Sequence, residues 1–138
     1  MKKSDVFHQP TYFDTYIDQV PDVHRSEAFH QSMAAIDALD LEQLHAIGDQ
    51  VYAPGKWTLR DLFRHLLDGE RIFAYRALRF ARHRLLFDSF DETALRRIGV
   101  MFNSELPVLA IGFTIVGHQI HHFRIMEERY FTMLNTLV

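Results

Sequence analysis

The chain has 138 residues, of which 48% are hydrophobic and 24% are charged, with a net charge of −3 and no cysteine. This length predicts one domain with a core of its own. The lack of cysteine excludes disulfides, thiolate metal ligands and a cysteine nucleophile, so any metal ion must be bound by His, Asp or Glu.

Charge is distributed unevenly along the chain. Residues 51–100 carry ten Lys or Arg against six Asp or Glu, whereas residues 1–50 carry three against nine. A basic segment can indicate nucleic acid binding. Here Asp61, Asp68 and Glu70 lie among the arginines, so a solvated helix face is the better interpretation and no nucleic acid partner is expected.

No apolar run reaches the roughly 18 residues of a membrane span, and no apolar signal-peptide core follows the N-terminus. We therefore expect no membrane partner and a cytoplasmic location.

The first third of the chain predicts an arm and two helices. The arm, residues 1–21, is rich in aromatic residues and should pack on the body of the domain. Apolar residues at helical spacing predict a helix over 23–39. A shorter helix over 41–47 is predicted to end near Gly48.

A long helix is predicted to follow the loop at 53–55 (APG). Thr58 and Asp61 have the spacing of a capping box, in which both side chains accept hydrogen bonds from free amides at a helix start. The helix should then run to about Arg84. Its predicted inward-facing residues are Leu62, His65, Leu66, Gly69, Ile72, Phe73, Arg76 and Phe80.

Residues 85–106 predict an irregular connection with one helical turn around 92–98. Pro107 suits the first turn of a last helix over 107–137. Its predicted buried side contains Ile111, Ile115, His118, His122, Ile125 and Met126. No strand alternation of any length is visible, so the predicted fold class is all-α.

The last helix carries His118 and His122 one turn apart on one face, a spacing that lets two imidazoles share one metal ion. His121 lies about 60° off that face and is not expected to join them. An i, i+4 histidine pair also arises by chance, and two interior or solvated histidines are the alternative interpretation.

His65 supplies a candidate third ligand, because it stands among apolar residues on the inward stripe of the preceding long helix. If the two helices pack together, His65 faces His118 and His122. Three imidazoles with an open position are typical of a catalytic rather than a structural metal site. The alternative for His65 alone is a hydrogen-bonded core histidine.

The histidine motifs and their flanking residues resemble the DinB/YfiT-like family of candidate metalloenzymes. The similar segments are 55–61 (GKWTLRD), 65–66 (HL), 68–79 (DGERIFAYRALR), 117–123 (GHQIHHF), 128–130 (ERY) and, in the arm, 12–21 (YFDTYIDQVP). The resemblance covers nearly all of the chain. It implies a single DinB-like domain over 1–138, a helical bundle of up-down-down-up order, and a divalent metal, nickel or zinc, held by His65, His118 and His122.

The chain departs from that family between its two long helices. Only residues 85–106 separate them, and 87–92 (FDSFDE) leads directly to the connection before the last helix, so the third bundle helix is predicted to be shortened or missing. This change should leave an apolar flank open. We therefore expect a homodimer in which the partner covers that flank.

Two classes of function follow as expectations. The resemblance implies a metal-dependent enzyme acting on a small molecule, either a thiol-dependent transferase or isomerase with a low-molecular-weight thiol, or a hydrolase. The alternative is a non-catalytic helical dimerisation or binding module with structural or vestigial histidines.

Two further residues could serve such an enzyme. Asp68, about one turn after His65, could orient an imidazole, although a surface charge is the better interpretation. Arg76 could reach an anionic substrate, but a salt bridge to Glu70 or another acid is expected instead.

Overall fold

The computed structural model of the protein describes residues 1–7, 11–82, 96–101 and 104–135, and this part of the chain is mostly helical. Its helices are α1 (Asp14–Ile17), α2 (Arg25–Asp37), α3 (Leu41–Ile47), α4 (Leu59–Arg82), α5 (Val108–Ile125) and α6 (Thr132–Asn135). A short 3-10 turn spans Lys3–Asp5, and a π-helical segment, Met126–Phe131, joins α5 to α6. Within the described ranges, no helix is both long and apolar enough to cross a membrane.

Helix starts follow the local side-chain signals. The Asp40 carboxylate caps α3 by accepting hydrogen bonds from the backbone N–H groups of Glu42 and Gln43 at 3.0 and 3.1 Å. The predicted capping box of α4 is confirmed, because Thr58 Oγ1 accepts from the N–H of Asp61, and the Asp61 carboxylate accepts from the N–H of Thr58, both at 3.1 Å. Each cap satisfies amides that have no partner within the helix.

The central helix of the fold is α5, which contacts α1, α2 and α4. Its sequence is apolar around most of its circumference, as expected for a helix enclosed on several sides. Ala81, near the end of α4, packs against Val108 at the start of α5, whereas His65, near the start of α4, contacts His118 and His122. The two long helices therefore run antiparallel.

The arm lies directly on α5. Phe13, Ile17 and Val20 are fully buried against it. The approach is so close that a Cβ atom at Gly117 would overlap the backbone carbonyl of Tyr16. A glycine is thus required at this point of α5, and the arm backbone occupies the space that a side chain would fill.

A small antiparallel hairpin, β1 (Ile98–Met101) and β2 (Ser104–Pro107), precedes α5. The prediction of no strand was therefore wrong for this segment. The strands have four residues each and include Gly99 and Pro107, so no alternation was long enough to detect. Pro107 is the last residue of β2, where it pairs with Ile98. It is also the N-cap of α5 and so precedes the first turn of that helix.

The predicted inward stripe of α4 was too wide. Leu62 and Phe73 are buried, but Ile72 and Arg76 are exposed. Ile72 is exposed because it lines a cavity between the arm and α4.

Residues 83–95 and 102–103 are outside the described residues. Most of the connection predicted over 85–106 falls there, including residues 92–95 of the turn predicted over 92–98 and the shortened or missing third helix. Ile98, the last residue of that predicted turn, instead begins β1. The mostly helical class is confirmed, while the up-down-down-up bundle stays a prediction.

Candidate metal centre

Three histidines from two helices meet in the interior. Nε2 of His118 lies 3.0 Å from Nε2 of His65 and 3.1 Å from Nε2 of His122. The three ligand atoms lie within 4.8 Å of one another, and no further His, Asp or Glu of the described chain joins the group. The structure thus brings together the three histidines that the sequence predicted.

These separations fit a shared metal ion. Imidazole nitrogens bind zinc at about 2.0–2.1 Å, so two nitrogens on one ion lie about 2.8–3.4 Å apart for angles between octahedral and tetrahedral. The two separations at His118 fall within that range.

Hydrogen bonds alone satisfy this cluster poorly. Nε2 of His118 faces two other Nε2 atoms. If that nitrogen is protonated, it donates to only one of them; if it is bare, it offers one lone pair to two donors. A single cation between the rings would use the lone pairs of all three nitrogens. This unmet bonding capacity is the observation that favours a metal.

Two of the three clustered histidines, His118 and His122, are held in the protonation state that metal binding requires. Burial, followed by the nearby imidazoles of His65 and His121, lowers the pKa of His118 from 6.5 to about 4. Burial and the adjacent imidazoles, His118 first, lower the pKa of His122 to about 3. Both rings are neutral at pH 7, so their nitrogens can bind a cation without first losing a proton.

Neighbouring groups fix the ring of His118. The ring meets Tyr16 edge to face, with a centroid distance of 5.2 Å, and Phe73 at 6.0 Å. Gly69 of α4 provides the remaining space, since a Cβ atom there would stand 3.2 Å from Cε1 of His118.

The ring of His65 packs against Trp57, the only tryptophan of the chain. The two ring centroids are 4.9 Å apart. The hydroxyl of Tyr130 donates a hydrogen bond to the backbone carbonyl of Trp57, so the π-helical segment anchors the loop that covers His65. Mid-helix π segments often occur at functional sites.

His121 stays outside the cluster, as its angular position predicted. Its ring packs on Tyr16 and on His122, with centroid distances of 5.6 and 5.0 Å. Its Nδ1 atom is buried and has no hydrogen-bond partner among the described residues. Burial, then the charge of Arg124, lowers the pKa of His121.

The two other residues considered from the sequence do not join the histidines. The Asp68 carboxylate forms an exposed ion pair with Arg71, at 3.6 Å, which matches the surface-charge interpretation. Arg76 is exposed, and the salt bridges among the described residues do not include an Arg76–Glu70 pair.

A cavity of about 510 Å³ opens beside the cluster. We call it the arm pocket. It is lined by Tyr12, Phe13, Tyr16, His65, Asp68, Gly69, Ile72, Phe73 and His118. Two of the three clustered histidines thus form part of its wall, and the remainder of the wall is mainly aromatic.

Sequence reasoning missed most of this pocket. Tyr12, Tyr16 and Phe13 were expected to pack on the domain, but nothing in their spacing placed them beside the histidines. The pairing of Gly117 in α5 with the aromatic arm was the available signal, because a glycine in a buried helix marks a close approach by another backbone.

Comparisons of the chain with protein-family models, with curated proteins and with solved structures found no match. The resemblance to the DinB/YfiT-like family accordingly rests on the sequence motifs alone.

Proposed function

We propose that this chain is a divalent-metal-binding protein of the DinB type, with His65, His118 and His122 as ligands, and that it acts as a metal-dependent enzyme on a small molecule. The observation that carries the proposal is the convergence of three Nε2 atoms, two pairs of which lie 3.0 and 3.1 Å apart. The depressed pKa values of His118 and His122 support it further, because neutral imidazoles are ready ligands.

A catalytic site is favoured over a structural one. A structural zinc site is closed by four protein ligands, whereas a catalytic site keeps a position for water or substrate. Among the described residues the cluster has three ligands, and His65 and His118 line the arm pocket. Any open position directed to that side would be reachable by a small molecule.

When bound, a divalent ion would supply Lewis acidity and lower the pKa of a coordinated thiol or water, as thiol transfer or hydrolysis requires. The protein residues would hold and orient the reactants. Burial, then the neighbouring Tyr12 hydroxyl, raises the pKa of Tyr16, so the hydroxyl of this pocket-lining residue stays protonated at neutral pH. Nickel and zinc are the proposed metals, a low-molecular-weight thiol is a proposed co-substrate, and the cytoplasm is the proposed location.

Metal titration tests the site. Purified protein should bind about one nickel or zinc ion per chain by elemental analysis. Paramagnetic Ni²⁺ should quench the fluorescence of Trp57, which lies against His65. In His122→Ala we expect the affinity to fall at least about 100-fold, since one of three metal bonds is lost.

His121→Ala is the matched control, because His121 neighbours His122 on the same helix but stays outside the cluster. This variant should keep its metal. Equal loss in the two variants, or no metal in the wild-type protein after reloading, would refute the site.

The alternative function, a dimerisation module, also has an observation in its favour. Phe29, Met33 and Ile36 follow one another at helical spacing along α2 and are 37%, 60% and 50% exposed. With Leu67 of α4 they border a groove of about 320 Å³, which we call the α2 groove. We propose a second copy of this chain as the occupant, because α2 presents an apolar stripe as well as a groove and can serve as both halves of a twofold contact.

The dimer is tested by sedimentation at several concentrations. Met33→Glu should dissociate it, whereas Tyr75→Glu, at a similarly exposed site on α4, should not. A wild-type protein that sediments as a monomer at high concentration would exclude the dimer and leave the metal site unaffected.

A further inference from the structure

We infer that the arm pocket binds an uncharged, largely aromatic small molecule that directs a single thiol or hydroxyl group toward His65 and His118. The orientation of the ligand and the exclusion of cationic ligands rest on the proposed metal; the choice of an aromatic body without an anionic group rests on the pocket alone.

The size and walls of the pocket favour an aromatic body. At about 510 Å³, the cavity lies within the range of small-molecule sites. Phe73 and Tyr16 form aromatic surfaces, and Ile72 contributes an aliphatic edge. Such walls stabilise a planar apolar ligand through burial and edge-to-face contacts.

The charge of the pocket selects against ions. Among the residues that the structure describes, those lining the pocket include no lysine or arginine, so an anionic group on the part of the ligand that lies away from the histidines would find no charged partner. The single charged lining residue, Asp68, is paired with Arg71. A cationic ligand would be repelled by the divalent ion. An uncharged ligand with one donor atom remains.

Tyr12 adds a second, independent observation. Its backbone has φ of +86°, which a tyrosine adopts only at a cost in free energy. Its side chain is 65% exposed, so little burial compensates for that cost. The strained conformation instead places Tyr12 in the pocket wall, with its ring edge-on to Phe13 at 5.2 Å and to Tyr16 at 6.2 Å. A strained residue at a pocket wall is typical of a ligand contact.

The test compares two thiols with the same reactive group. Protein loaded with Co²⁺ is titrated with 2-phenylethanethiol and with 2-mercaptoethanesulfonate, and binding is followed by calorimetry and by the visible spectrum of cobalt. We expect the aromatic thiol to bind at least about tenfold more tightly, because its ring is buried whereas the sulfonate must be desolvated without a partner. Equal affinities, or a preference for the sulfonate, would overturn the inference while leaving the metal site in place.

Two variants locate the binding. Ile72 and Ile36 are both helical and both 50% exposed, but only Ile72 lines the arm pocket. Ile72→Arg should lower the affinity for the aromatic thiol and raise the affinity for the sulfonate, each at least threefold. Ile36→Arg should change neither affinity. The same response in both variants would place the ligand elsewhere.

Tyr12→Gly separates a ligand contact from a structural role. Glycine adopts positive φ freely, so the melting temperature should be unchanged or higher, while affinity for the aromatic thiol falls severalfold. A lower melting temperature with unchanged affinity would mean that Tyr12 serves the fold only.

If the protein binds no cobalt, the proposed function fails but the pocket can still be tested. Saturation-transfer NMR with 2-phenylethanol on the metal-free protein should then show binding that Ile72→Arg removes. No transfer to the wild-type protein would refute the pocket as well.

Discussion

The arm pocket and the α2 groove share His118 and Phe73 in their walls but differ in chemistry. The arm pocket adds His65, two tyrosines and a strained backbone at Tyr12. The α2 groove adds exposed apolar side chains of α2 and α4, and it is tied together by Gln119, whose Nε2 donates to the backbone carbonyl of Ser32 at 2.9 Å. The arm pocket combines titratable groups with a strained backbone, as a reactive site does. The α2 groove has the features of a contact surface.

The two glycines of α5 give the sharpest test of this difference. Gly117→Ala would drive a Cβ atom into the Tyr16 carbonyl, so we expect a loss of several kcal/mol of unfolding free energy or detachment of the arm. A Cβ atom at Gly112 would stand 3.7 Å from Cε2 of Phe29, an ordinary contact, so Gly112→Ala should stabilise the protein by about 0.5–1 kcal/mol through helix propensity. Urea denaturation measures both.

A Gly117→Ala variant as stable as Gly112→Ala would contradict the close approach of the arm. Metal affinity, measured alongside, should fall only in Gly117→Ala, because the arm packs on His118 through Tyr16.

Acid sensitivity should come from the histidine cluster. In the metal-free protein the pKa values of His118 and His122 are lowered to about 4 and about 3, while in the unfolded chain they are near 6.5. Between these values the unfolded state binds more protons than the folded state. The contribution of the two histidines to the unfolding free energy is therefore fully present above pH 6.5 and is lost as the pH drops toward 4 and then 3.

The double variant His118→Gln, His122→Gln isolates this contribution from that of the carboxylates. Its unfolding free energy, measured by urea denaturation from pH 7 to pH 4, should vary less with pH than that of the metal-free wild type. Parallel curves would show that the two histidines are not buried as neutral groups.

The smallest of these effects concerns Gln119 in the groove. Gln119→Ala removes two hydrogen bonds with Ser32, one donated by Nε2 to the Ser32 carbonyl and one accepted by Oε1 from the Ser32 hydroxyl. It should lower the unfolding free energy by about 1–2 kcal/mol, since both groups of Ser32 are only partly buried. Metal affinity should stay within about twofold, because the side-chain amide of Gln119 bonds Ser32 of α2 and is not one of the three clustered ligands. A larger loss of affinity would mean that the groove and the metal centre are coupled through α5.

Local signals in the sequence were sufficient for much of the helical structure. The capping box at Thr58 and Asp61, and the cap at Asp40, depend on contacts within one turn, so their geometry follows from spacing alone. The separation of His118 and His122 is equally local, because four residues span one turn of any helix.

Non-local features required the tertiary structure. The hairpin at 98–107 is stabilised by pairing of two strands too short for periodicity to register. The exposure of Ile72 and Arg76 was misjudged because a helical stripe shows which residues share a face, but not how far the neighbouring element extends along it.

The sequence by itself determined the ligand types and the one-turn spacing of His118 and His122, since absent cysteines and helical geometry leave few alternatives. Only the tertiary structure decided that Nε2 of His65 lies 3.0 Å from Nε2 of His118, that Trp57 covers it, and that an aromatic pocket opens beside the pair. The contact between His65 and His118 joins residues 53 positions apart in the chain, and such distances are set by packing of whole helices.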